Sequence, residues 1–205
     1  MKNILIILLI VIFSFSILGQ TPKKTDTRVE NTKAAVVPLI SDEEYRVYSA
    51  VLGKQKGKFV IRIETNMDKD SKNIKMLEQR GFDPFLKQIK PETMRDFLTK
   101  NDGSELLEKK FSPGINYTFI STEELKANFA YKFDGEMDWE VFHQKYPNTA
   151  NIYTLSRVGF SQDSSQALVF VTNWCRSLCG EGNYYLMKKE NCEWKIVNKM
   201  MTWIS

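Results

Sequence analysis

The stretch from Asn151 to Ser205 constrains the fold most. Four runs rich in β-branched and aromatic residues follow one another there: Ile152 to Phe160, Gln166 to Trp174, Asn183 to Lys189 and Glu193 to Ile204. Polar or glycine-bearing connections separate them (Ser161-Gln162-Asp163-Ser164-Ser165, Cys175 to Gly182, Glu190-Asn191-Cys192). None of these is long enough for a crossover, so neighbouring strands must pair antiparallel. The stretch predicts a four-stranded meander. In its second strand Leu168 and Phe170 fall on one face and Ala167, Val169 and Val171 on the other. With both faces apolar, that strand should be central and covered on both sides.

Meander geometry also sorts the three cysteines. Cys175 and Cys179 share the loop after the second strand, whereas Cys192 sits in the turn at the far end of the third. About seven intervening residues at ~3.3 Å each put Cys192 roughly 20 Å from the other two. A disulfide spans no more than ~7 Å between Cα atoms. The expected bond is therefore Cys175–Cys179, leaving Cys192 a free thiol able to link two chains. The turn holding Cys192 departs from the usual pattern. A tight hairpin favours Asn-Gly, because both central residues need positive φ, yet the chain has Asn191-Cys192. Such a turn is either longer than two residues or strained at the cysteine.

At the other end, Met1-Lys2-Asn3 precedes an apolar run from Ile4 to Leu18, then Gly19. A basic start, an apolar core of this length and a small residue read as a secretory signal peptide over residues 1–20. Ile17 fits the cleavage rule poorly, and the alternative is an uncleaved anchor, although the run is shorter than the ~20 apolar residues of a membrane span. N-terminal sequencing of the exported protein should begin near residue 20; a start at Met1 would refute cleavage. Thr21 to Val36 is polar and without period, a flexible leader before a single domain over 37–205. After cleavage the chain holds 28 basic and 25 acidic side chains, because only Lys2 is lost among charged residues. A well-mixed surface of net charge +3 gives no argument for nucleic acid or an anionic membrane.

Helical signals fill the middle. Ser41-Asp42-Glu43-Glu44 is a capping box flanked by the staple pair Ile40 and Tyr45. It opens a helix striped with Tyr45, Tyr48 and Leu52 and stopped by Gly53. Phe59, Ile61 and Ile63 alternate in a strand. Ser71 to Arg80 reads as a helix closed by Gly81, Asp83-Pro84-Phe85 as a further short turn, and Pro91 as the start of a helix bearing Met94, Phe97 and Leu98. Ser121 to Glu124 is a second capping box. Glu136 to Lys145 places Trp139, Phe142 and Tyr146 on one stripe, ending before Pro147.

Candidate chemistry is sparse, and no catalytic residue can be assigned. His143 is the only histidine, beside the aromatic stripe. Together with three cysteines it does not make the four-ligand spacing of a structural zinc site, so no metal and no cofactor is expected. Cys175-x-x-x-Cys179 is not the two-residue spacing of thioredoxin-type motifs. Asn116-Tyr117-Thr118 fits an N-glycosylation acceptor, relevant only in a eukaryotic secretory route. The candidate binding residues are Trp174, Arg176 and Glu181 around the cysteine loop, with His143. The alternative, which the residues favour, is a merely structural loop closed by its disulfide.

The run from Leu155 to Ser205 resembles the C-terminal part of a group of exported, uncharacterised bacterial proteins. The resemblance rests on Ser156 to Phe160, Gln166 to Val169, Cys175 with Leu178 to Gly180 and Gly182, Lys189 with Trp194, and Trp203 with Ser205. Weaker echoes lie at Ser41 to Leu52 and Trp139 to Pro147. Cys192 departs from the pattern, which has glycine there. The resemblance implies export and one compact domain, and no activity.

Together these readings predict an α+β domain with helices packed on one face of a mostly antiparallel sheet. The expected function is a non-enzymatic binding or interaction domain, secreted or periplasmic, taking a protein, peptide or small ligand of the envelope. A thiol- or histidine-dependent envelope enzyme is the alternative.

Overall fold

β5 (Gln166–Trp174) is the axis of the sheet, apolar on both faces as its sequence requires. In the computed structural model, which describes residues 40–128, 138–175 and 179–205, seven strands form one sheet. The path runs from β2 (Tyr117–Ile120) through β1 (Lys58–Arg62) and β3 (Thr149–Leu155) to β5. It continues through β6 (Glu181–Glu190) to β7 (Glu193–Ile204). A two-residue strand, β4 (Gly159–Phe160), also pairs with β5.

The antiparallel meander β3-β5-β6-β7 is present. The expectation of a mostly antiparallel sheet is corrected: β1 pairs parallel with both β2 and β3, so the sheet is mixed. Long helical connections make those parallel pairs possible. Between β1 and β2 lie α2 (Lys69–Lys72), α3 (Ile74–Gln79), α4 (Asp83–Leu86) and α5 (Pro91–Lys100). Between β2 and β3 lie α6 (Thr122–Asn128) and α7 (Trp139–Lys145). β2 was not anticipated, being a four-residue strand with little alternation.

Helices on one face are also corrected. α1 (Asp42–Leu52) packs Tyr45, Tyr48, Val51 and Leu52 with Ala167, Val169 and Val171. On the opposite face Leu77, Phe85 and Phe97 meet Leu168, Phe170 and Tyr184, while Phe142 and Tyr146 of α7 meet Val60 and Ile152. A central strand apolar on both sides leaves no other solution.

Two elements divide where the sequence suggested one, and the bounds of a third are narrower. The helix expected over Ser71 to Arg80 breaks at Asn73, whose carboxamide caps Met76. α7 starts at Trp139, capped by Asp138; the expected start at Glu136 lies outside the described residues, as do the signal peptide and leader. The first meander strand splits into β3 and β4 at Ser156-Arg157-Val158.

That split is where the two helical layers are joined. Glu44 completes its capping box with Ser41 and is only 1 % exposed. Its carboxylate also accepts from Arg157 Nε (2.8 Å) and Nη2 (3.0 Å) and from the Val158 amide (3.1 Å). Burial alone would push the Glu44 carboxyl up, but the guanidinium and the donated N–H groups hold it below its ordinary value. The Arg157 backbone exchanges hydrogen bonds with Asn101 at the end of α5, and Tyr48 donates to the Ser156 carbonyl. Gly159 lies flat against Phe97; an added Cβ would fall 2.4 Å from the Phe97 amide nitrogen.

At the far end of the meander, Lys189 and Trp194 both donate to Glu43 at 2.7 Å, which seats α1 over the hairpin end of the sheet. β7 does not keep Trp194, Ile196, Met200 and Ile204 on one face as strict alternation implies. Its pairing with β6 shifts twice, at Val197 and Thr202, so Met200 joins the opposite cluster from Trp194. The turn is two residues long, with φ of 51° at Asn191 and 66° at Cys192, and Cys192 is exposed. Asparagine accepts this conformation readily and cysteine does not. Cys192→Gly is therefore expected to stabilise the protein by about 0.5–1 kcal/mol in urea denaturation. A destabilisation would show that the thiol makes contacts beyond the turn.

Candidate functional site

The loop between β5 and β6 begins and ends in the Cys175–Cys179 disulfide, with Cα atoms 5.4 Å apart. Two glycines then let the last strand close over it. The Ser205 amide donates to the Gly180 carbonyl (2.8 Å), and the Gly180 amide donates back to Ser205 Oγ (3.1 Å). Trp203 lies on Gly182, where an added Cβ would come within 2.2 Å of its Nε1. Trp174 stacks on Trp203 with ring centroids 5.2 Å apart, and stays 43 % exposed. The Cys-Gly-x-Gly loop and the Trp-x-Ser ending are thus one packed unit, although more than twenty residues separate them in the chain.

Successive residues of a strand point to opposite faces, so Asn173 and Trp174 look opposite ways. On the face that α1 shares, Asn173 is paired in register with Glu181, and Asn183 with Val171 and Met201. Tyr153 is opposite Asn173 on β3, and Tyr185 is opposite Lys199 on β7. Lys199 stands 3.5 Å from the Glu181 carboxylate and 5.6 Å over the Tyr185 ring. Asn151 donates to the Tyr153 hydroxyl at 3.0 Å. Burial, and after it the charge of Glu181, push the Tyr185 phenol up to about 12. Burial also raises Tyr153, with a further contribution from Glu181.

The expected site residues fall in different places. Trp174 and Glu181 share this end of the sheet but face opposite sides. Arg176 lies outside the described residues. His143 is on α7, its ring 6.0 Å from Trp139 and 5.4 Å from Phe142, with Nε2 buried and unpartnered. Among the described residues, no contact joins it to the cysteine loop. The Cys179 sulfur is bonded to Cys175, so it is not a free nucleophile in this state.

Asn173, Asn183, Tyr153, Tyr185 and Lys199 were missed from the sequence, and Trp203 and Gly182 were noted there without their contact. A signal for two of them existed. Asn173 continues the apolar series Ala167, Val169, Val171, and Asn183 begins the series completed by Tyr185 and Met187. A polar residue at the end of a core-facing series marks where the core gives way to something else.

Among the described residues, no other feature competes. A shallow hollow of about 270 Å³ beside the end of α1, lined by Ser49, Leu52, Ser112 and Gly114, carries no titratable group. Among the described residues, no group of three or more His, Cys, Asp or Glu could hold a metal ion. No described helix is long and apolar enough to cross a membrane. Comparison with protein-family models, with curated proteins and with solved structures gives no match.

Proposed function

We propose that this chain is a non-enzymatic binding domain working in an oxidising compartment, secreted or periplasmic, with the disulfide end of its sheet as the binding surface. One observation carries the reading. Trp174 is fixed in place by Trp203 and two glycines while nearly half of it stays in solvent. Folding alone would favour burying an indole, whereas a rigid exposed aromatic is what recognition uses, because little motion is lost on binding. Met201 (46 % exposed) and Ile204 (71 % exposed) lie at the same end. The disulfide supports the compartment, since such bonds persist outside the reducing cytosol.

Titration of isotopically labelled protein with a panel of short peptides and oligosaccharides tests this, read by backbone amide shifts. Ligands should move amides at 172–174, 181–185 and 199–205. Shifts centred on α7, chemical conversion of a ligand, or no shift with any of the panel would defeat the proposal.

A further inference from the structure

The ladder joining β5 to β6 ends at the pair Asn173 and Glu181. Trp174 and Gly180 come next, and the Cys175–Cys179 disulfide closes the loop just beyond them. Each of the two is anchored on its own side. Trp174 pairs with Ile152 on β3, whereas Gly180 exchanges hydrogen bonds with Ser205, just past β7. Beyond the ladder, the cross-link between these sides is the disulfide, which holds its Cα atoms 5.4 Å apart. The Trp174 ring rests on Gly180, where an added Cβ would come 3.0 Å from its Cε3. Trp203, lying on Gly182, completes the stack.

The rest of the fold does not depend on that bond. Trp174, Trp203 and the two cysteines belong to none of the three core clusters, and β5 and β6 keep eight ladder pairs without it. The bond is also within reach of solvent, because Cys179 is exposed. A thiolate of an incoming dithiol can attack the Cys179 sulfur, forming a mixed disulfide and releasing Cys175 as its thiol. The second thiol of the reagent then displaces Cys179 and leaves joined to the first. Two electrons and two protons pass from the dithiol to the cysteine pair, and the dithiol departs as a disulfide.

We propose that the Cys175–Cys179 disulfide is a redox latch on the Trp174–Trp203 pair. Oxidised, it holds Gly180 under the Trp174 ring and keeps the two indoles stacked. Reduced by a dithiol, it lets Gly180 and Ser205 move away from Trp174, and the exposed aromatic surface loses its rigid shape while the core stays closed. The inference rests on the binding reading above for what the latch controls, but its test needs no ligand.

The test compares isotopically labelled protein with and without dithiothreitol, read by its amide and indole N–H resonances. Reduction should move the indole signals of Trp174 and Trp203 and the amides at 174, 180–182 and 203–205. The Gly180 and Ser205 amides should exchange with solvent about tenfold faster or more. The indoles of Trp139 on α7 and Trp194 at the hairpin end should stay where they are. Melting should remain cooperative and fall by only about 4–8 °C, the share that closing so short a loop contributes. Cys175→Ser combined with Cys179→Ser should give the reduced pattern with no reductant present. Unmoved Trp174 and Trp203 indoles on reduction would overturn the latch. So would loss of the cooperative transition in the reduced protein or in the double variant, since the bond would then hold the whole fold. These outcomes leave the binding surface to its own titration: failure of every ligand there defeats the binding reading, and unmoved indoles here defeat only the latch.

Discussion

Replacing Glu44 by alanine is expected to destabilise the protein by about 3–5 kcal/mol, because it leaves the Arg157 guanidinium buried beside a void. Three donors converge on that carboxylate from a segment more than a hundred residues away, and both side chains are nearly inaccessible. Removing both charges together, as Glu44→Leu with Arg157→Met, should cost much less than either single change. That result would show that the isolated charge, and not the pair, is the expensive species. The same group gives a pH dependence of definite sign. The folded carboxyl is held below its ordinary value of 4.5, so its contribution is complete above that pH and is lost as pH falls through the lower folded value. Urea midpoints for the parent should decline on acidification, and those of the double variant should decline less. Equal declines would assign the acid sensitivity elsewhere.

Gly159→Ala should cost about 3 kcal/mol. Its Cβ would enter space held by the backbone nitrogen and Cα of Phe97, at 2.4 and 2.5 Å, and backbone in the middle of α5 cannot swing aside as a side chain can. Gly103→Ala is the matched control. Nothing lies within 4 Å of its added carbon, so thermal unfolding should move little. Equal effects at the two positions would mean that β4 and α5 part easily.

The meander was legible because its signals are local: alternation, short connections and a strand apolar on both faces. The first helix was legible for the same reason, through Ser41 and Glu44. What escaped the sequence is what depends on partners distant in the chain. Glu44 looked like half of a capping box, and only the fold shows it holding Arg157 as well. Ser156 to Phe160 looked like an unbroken strand, since nothing in those five letters says that an arginine must turn inward. β2 could not be read at all, because four residues of a parallel edge carry no periodicity. At the candidate site, Trp174 and Glu181 were identified as neighbours of one loop, but pairing register puts them on opposite faces. The cues at Asn173 and Asn183 were visible only as interruptions of an apolar series.

The Glu44–Arg157 pair also sets a timetable. Its two residues lie 113 positions apart. At synthesis rates of about 5–20 residues per second, α1 waits on the order of ten seconds before its buried partner exists. β1 waits nearly as long for β3, its neighbour in the middle of the sheet. The strand that both helical layers cover, β5, comes still later, so the two-sided core closes only once the meander arrives. Refolding from urea should accordingly be slow and governed by this long-range closure.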